Sequence, residues 1–152
     1  MHSFELNIFI DRPRNEVYDH IAEPINMIGL QPYLTTIDIL KEQKDAGGIL
    51  LRPFYMLETY RWAGLPFFKS KVYTVIHLTN PRNELIVRQY IKPGTQIAFH
   101  YEFHEVEEKR THLIQRAVFE KVNRLLENAV FNRANKAQRG LLTNLKVRLE
   151  KQ

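Results

Sequence analysis

Apolar residues alternate with polar ones from the start of the chain, where Phe4, Leu6, Ile8 and Ile10 are interleaved with Glu5 and Asn7. That two-residue period predicts a strand with one buried face. Asp11, an acidic N-cap type ahead of Pro13, then predicts a helix start. The stretch PRNEVYDHIA is that helix, with Val17, Tyr18 and Ile21 as its buried side. Pro24, Gly29 and Pro32 cut the following piece into a short helix and a turn over 26–30. Residues 35–41 resume as a strand, with Ile37 and Ile39 on one side, and KEQKDAGG reads as a polar turn. From Ile49 onward the pattern predicts consecutive antiparallel strands, with turn signals at 64–66, 80–83, 93–94 and 107–109.

A single register satisfies all of these strands. Folding about Glu108 sets Phe103 opposite Leu113, Tyr101 opposite Gln115 and Phe99 opposite Ala117. Folding about Gly94 sets Ile91 opposite Ile97, Gln89 opposite Phe99 and Val87 opposite Tyr101. Folding about Pro81 and Arg82 sets Leu78 against Leu85 and Ile76 against Val87; folding about Gly64 sets Met56 against Val72 and Tyr60 against Phe68. These pairs share one mostly apolar face. The other face collects Arg61, Lys69, Lys71, Glu84, Arg88, His100, Glu102, Arg116 and Glu120. A slip of one residue reverses a strand's faces, so agreement among four hairpins predicts a sheet with one dry and one wet side.

Residues 122–150 contain no proline and a single glycine, Gly140. They predict a helix roughly 40 Å long. Stepping 100° per residue gathers Val122, Leu126, Ala129, Val130, Ala137, Gly140 and Leu141 on one face, with Arg133 as its one charged member. Small residues at Ala129, Ala137 and Gly140 predict either close packing or room for a ligand. An amphipathic helix of this length needs a large apolar partner, and the dry face of the sheet is the obvious one.

Composition narrows the functional classes. The chain has 152 residues, 44 % apolar and 26 % charged, the balance of one globular domain spanning 1–152. Cysteine is absent, which excludes disulfides and thiolate chemistry. No apolar run reaches the length of a membrane span and the first residues do not read as a signal peptide, so a cytoplasmic location is expected. The net charge of +5 is spread along the chain rather than clustered, so no nucleic-acid partner is expected. Repeats and low-complexity tracts are absent.

The order of strand, two short helices, six strands and long helix resembles the SRPBCC superfamily, and within it the polyketide cyclase/dehydrase-like branch. The resemblance is carried by FELNIFIDRPRNEVYDHIAEPINMIGLQPYL at the start and LLTNLKVRLE near the end. It implies an α+β helix-grip fold: a curved antiparallel sheet of about seven strands wrapped on a long C-terminal helix. It implies a deep cavity between sheet and helix that takes apolar or aromatic small molecules or lipids. The superfamily has no shared catalytic motif, so the resemblance transfers no catalytic residue, and no cofactor is expected.

Under the register above, Glu58, Tyr60, Ser70, Thr74, Gln89, Tyr101 and Gln115 point toward that cavity, with Phe99 from the sheet and Ala129, Arg133 and Ala137 from the helix. Tyr60 and Tyr101 are candidate donors to a carbonyl. Glu58 is the candidate acid or base, if burial raises its pKa. Arg133 is expected to reach into the cavity and hold an acidic head group or pair with Glu58; the alternative is an arginine that snorkels to the helix edge. His100, Glu102, His104 and His112 share one strand-pair face in a pattern compatible with metal binding, but that face is the wet one and no metal is expected. The leading reading is binding of an apolar or aromatic small molecule or lipid. The alternative is an enzyme of the cyclase or dehydratase type in the same cavity. A third reading is a lipid carrier that touches anionic membranes transiently.

Overall fold

The computed structural model describes residues 3–31, 34–62, 65–92 and 94–152, with the side chains of 60–62 and 65–68 left out of the description. The strands are β1 (Ser3–Ile10), β2 (Leu34–Ile39), β3 (Gln43–Lys44), β4 (Leu50–Trp62), β5 (Leu65–Asn80), β6 (Glu84–Ile91), β7 (Thr95–Glu107) and β8 (Arg110–Lys121). The helices are α1 (Arg14–Ala22), a 3-10 helix Pro24–Met27, a second 3-10 helix Arg124–Leu126 and α2 (Glu127–Glu150). The strands form one antiparallel sheet in the order β1-β8-β7-β6-β5-β4-β2, with β3 paired to β4. The eighth strand, against about seven expected, is the two-residue β3 inside the predicted polar turn.

The expected register holds for most of the sheet. Phe103 lies opposite Leu113, Tyr101 opposite Gln115 and Phe99 opposite Ala117. Met56 lies opposite Val72 and Tyr60 opposite Phe68, while Ile76 faces Val87. The β6–β7 hairpin is tighter than expected: Ile91 pairs with Thr95, Gln89 with Ile97 and Val87 with Phe99. Gly94 sits in this turn at φ 69°, a left-handed backbone that suits glycine, and closes it two residues early. Because the side-chain period is also two, the dry face survives the correction intact. The Leu78–Leu85 pair falls in an irregularity between His77 and Asn80, where the turn takes Arg82 through φ 72°. The turn residue Gly64, Pro32 and Pro93, and the side chains of Tyr60, Arg61 and Phe68, lie outside the described residues.

Val17, Tyr18 and Ile21 of α1 are buried, as their spacing predicts, and the Tyr18 ring meets Phe103 edge-on at 5.2 Å. Asp11 is not the cap of that helix. Pro13 occupies the cap position, and the Asp11 backbone N–H instead donates to Glu150 Oε2 at 2.9 Å. The C-terminal end of α2 is pinned to the start of the chain by further bonds of this type. Arg12 Nε donates to the Leu149 carbonyl at 2.8 Å, and Arg148 donates to the carbonyls of Asn26 and Ile28 at 2.6 and 2.7 Å.

The long helix is shorter and differently rotated than its sequence suggests. Residues 122–123 are not helical, and the 3-10 turn that follows is capped by Asn123, whose side chain accepts from Leu125 N at 3.1 Å. α2 itself begins at Glu127 and spans about 36 Å. Its buried stripe runs through Gln138, Leu141, Leu142, Leu145 and Leu149, with Val130, Phe131 and Ala134 packed on the same side. Ala129 and Arg133 are exposed and Ala137 and Gly140 half-buried. The expected face is therefore off by about one residue, or ~100°. Val122 and Leu126 set the phase of that reading, and neither belongs to α2. The small residues do not mark close approach, since a Cβ added to Gly140 meets nothing within 4 Å.

Candidate functional site

Where the stripe of α2 faces the middle of the sheet, the core turns polar. Tyr101 on β7 and Gln115 on β8 are cross-strand partners, and both are fully enclosed. Gln115 Nε2 donates to the Tyr101 hydroxyl at 2.6 Å and to Gln138 Oε1 of α2 at 2.8 Å. This chain of bonds ties helix to sheet. Burial pushes the Tyr101 phenol pKa far up, against a smaller lowering by the Gln115 bond, so the phenol stays protonated. Two buried atoms, Gln115 Oε1 and Thr74 Oγ1, have no hydrogen-bond partner among the described residues. Thr74 on β5 lies opposite Gln89 on β6.

Thr74, Gln89, Tyr101 and Gln138 line a small cavity of about 10 Å³, the space of one water molecule. Thr74, Gln89, Phe99 and Tyr101 form its sheet wall together with Phe54, Met56 and Val87. Gln138 and Leu141 close it from α2, and Met27 and Gln31 from the segment after α1. Among the sequence-predicted site residues, Thr74, Gln89, Phe99 and Tyr101 thus converge, while Gln115 is outside the lining and bonded to Tyr101. Glu58 and Ser70 are cross-strand partners, half-buried and outside this lining. Ala129, Arg133 and Ala137 are outside it as well, and the Tyr60 side chain is not described. Arg133 therefore does not reach the cavity, because the rotated helix turns that face outward.

Gln138 is the residue that the sequence reading missed. Its signal was available: stepping back by three or four from Leu149, Leu145 and Leu142 arrives at Gln138 and then Ala134. A polar residue at the centre of that stripe was passed over in favour of alanines. Met27 and Gln31 left no periodic signal, because they belong to a 3-10 helix and the turn after it.

The wet face carries charge networks of ordinary surface type. Arg88 Nε donates to Glu120 Oε1 at 2.8 Å, and Arg116 pairs with Glu102. His104 lies 3.1 Å from Glu102, and His112 bonds Asn7 at 3.2 Å instead. Among the described residues, no three His, Asp or Glu side chains are placed to hold a metal ion. A larger groove of about 380 Å³ opens on the surface beside Arg14, Asn83 and Glu102. Its lining is mostly polar and charged side chains, among them Arg14, which donates to Asn83 at 3.0 Å, and offers only Phe103 as an apolar wall. The inner cavity, walled largely by apolar side chains, is therefore the better candidate for an apolar ligand.

No family model matches the sequence, and neither does any curated protein. Solved structures do match. A Thermus thermophilus protein superposes with a TM-score of 0.73 at 12 % identity, covering 99 % of this chain and 98 % of that one. A START superfamily protein from Mycobacterium smegmatis gives 0.73 at 12 % identity over 99 % of both chains. The chain has the helix-grip fold. The Zhui aromatase/cyclase from a Streptomyces species shares it, with a TM-score of 0.69 at 15 % identity over 97 % of this chain and 95 % of that one. At such identities the likeness speaks for the helix-grip architecture, the one the SRPBCC resemblance implied, and activity has to be argued from the site. None of the described helices is long and apolar enough to cross a membrane.

Proposed function

We propose that this helix-grip chain, acting as one unit over residues 1–152, binds an apolar or aromatic small molecule or a lipid between its sheet and α2. The observation that carries the reading is Thr74 Oγ1, a buried atom of a cavity-wall residue with no hydrogen-bond partner among the described residues, on a wall it shares with Gln89, Tyr101 and Gln138. Each such atom costs about 1–3 kcal/mol. A core shaped for stability alone does better with valine at position 74. A ligand with a polar group supplies the missing partner and uses the surrounding Phe54, Val87, Phe99 and Leu141 as its wall. Met27 and Met56, unbranched and adaptable, are the lining side chains that yield to admit it.

Binding is favoured over the cyclase type of reaction because Tyr101 is the one titratable side chain among the described lining residues. A phenol held protonated donates a hydrogen bond but does not act as a base. Native mass spectrometry of the protein as purified, followed by a thermal-melt screen with apolar and aromatic probes, tests the reading. A co-purifying small molecule, or a probe class that raises Tm, is expected. A protein that carries nothing and responds to no probe does not have this function.

A further inference from the structure

The polar groups around the cavity are of one electrical kind. Among the described lining residues Thr74 contributes a hydroxyl, Tyr101 a phenol, and Gln31, Gln89 and Gln138 contribute amides. None is ionised at neutral pH. The nearest expected sources of charge stay out of the lining: Glu58 is half-buried farther along β4, and Arg133 is exposed on α2. The enclosure is strict, since Thr74 and Gln115 are each 0 % exposed and Tyr101 is 2 % exposed.

An ionised head group drawn into such a space loses its water and meets no counter-charge. Hydrogen bonds from amides and hydroxyls do not make up that loss. An uncharged hydroxyl or carbonyl has a far smaller desolvation cost and finds matched partners. The Thr74 hydroxyl has no hydrogen-bond partner among the described residues and is free to donate to or accept from a ligand oxygen. The Tyr101 oxygen accepts from Gln115, so its own hydrogen remains for a ligand acceptor.

We infer that the cavity, once Met27 and Met56 yield to enlarge it beyond the space of one water molecule, selects uncharged ligands that carry hydroxyl or carbonyl groups on an apolar or aromatic body, and rejects carboxylates and other anions of the same size. The inference rests on the binding function proposed above and specifies its ligand class. It sets phenols, alcohols and ketones apart from fatty acids, although both groups are apolar molecules of suitable shape.

Paired probes test it. Calorimetric titration of the full chain at neutral pH compares naphthol with naphthoate, and a long-chain alcohol with the matching fatty acid. The neutral member of each pair is expected to bind at least about tenfold tighter. Thr74→Val, an isosteric change, is expected to weaken naphthol binding while raising the Tm of the unliganded protein, because it deletes an unpartnered buried hydroxyl. Gln89→Met, at a buried lining amide, serves as the second variant and should also weaken the neutral probe. Anions that bind as tightly as their neutral partners, with both lost when Leu141→Trp fills the cavity, leave the internal site standing and overturn the ligand class. Naphthol affinity unchanged in both Thr74→Val and Gln89→Met overturns the assignment of those two groups. Failure of every probe, neutral and charged, to bind or to raise Tm overturns the internal site itself.

Discussion

Gln115 Nε2 lies 2.6 Å from the Tyr101 hydroxyl, and the two residues face each other across the β7–β8 ladder beneath α2. The same nitrogen donates to Gln138, so one amide joins two strands to the helix that covers them. Buried bonds of this kind add little when made and cost much when half-broken.

Replacing Gln115 by leucine therefore tests the link directly. The change removes the donor and leaves the Tyr101 oxygen and Gln138 Oε1 buried without it. A loss of about 1–3 kcal/mol is expected, reduced by the simultaneous removal of the unpartnered Gln115 Oε1. Tyr101→Phe should cost less, since Gln115 keeps its bond to Gln138. Urea unfolding checks both through the midpoint at constant slope. A Gln115→Leu protein more stable than the parent would show that the bonds contribute nothing net.

Gly140 offers the opposite kind of change. It lies inside α2, its φ is not positive, and a Cβ there meets nothing within 4 Å. Gly140→Ala is expected to stabilise the fold by about 0.5–1 kcal/mol, through helix propensity alone. Ligand binding should not change. A destabilised variant would mean that the helix packs more tightly at this point than the geometry shows.

The contrast between these residues explains what the sequence revealed. Tyr101 opposite Gln115 was legible because strand alternation is rigid: one correctly placed turn, at 107–109, sets the pairing of the two strands it joins. The β6–β7 hairpin was displaced by two, yet Gln89 still faces inward, since an even shift preserves the face. A helix is less forgiving. One residue of phase error turns the face by ~100°, which placed Arg133 inside and Gln138 nowhere. The start of α2 sets that phase, and the 3-10 turn at Arg124–Leu126 interrupts the pattern in a way that hydrophobic spacing does not reveal. Met27 reaches the cavity through tertiary packing alone, so its part in the site had no local signature.

Arg148 holds the segment that brings Met27 and Gln31 to the cavity. Its guanidinium donates to the carbonyls of Asn26 and Ile28, and it closes over Gly29, where an added Cβ would lie 2.8 Å from Nη2. Gly29 also has φ +87°, so Gly29→Ala combines backbone strain with displacement of the arginine. Arg148→Met is expected to destabilise the fold by about 1–3 kcal/mol, as two carbonyls lose a charged donor. Hydrogen exchange should speed up over 24–31 more than in the strands. Equal acceleration throughout the sheet would indicate global loss of stability rather than release of this segment.

The pH dependence of stability follows from two half-buried histidines that each face an arginine. Arg148 Nη1 lies 3.2 Å from His20 Nε2, and Arg88 Nη1 lies 3.2 Å from His77 Nε2. An arginine only donates, so each ring nitrogen accepts and is unprotonated. Burial first, and the adjacent guanidinium second, hold both pKa values below the ordinary histidine value of 6.5. The sign follows from proton uptake. Above that value both rings are neutral whether the chain is folded or not, and their contribution to stability is fully present. As pH falls below it, the unfolded chain takes up protons that the folded chain refuses, and stability declines until the folded-state values are passed. Glu102, Glu120 and Glu150 have pKa values lowered by their cationic and hydrogen-bonding partners, so their contribution is lost only as pH falls below the ordinary carboxylate value of 4.5. The urea midpoint is therefore expected to drop on acidification from about 7 to about 5, in the histidine range. The double variant His20→Gln, His77→Gln should flatten much of that slope. If its pH profile instead overlays that of the parent chain, these two rings are not the groups that set the acid side of stability.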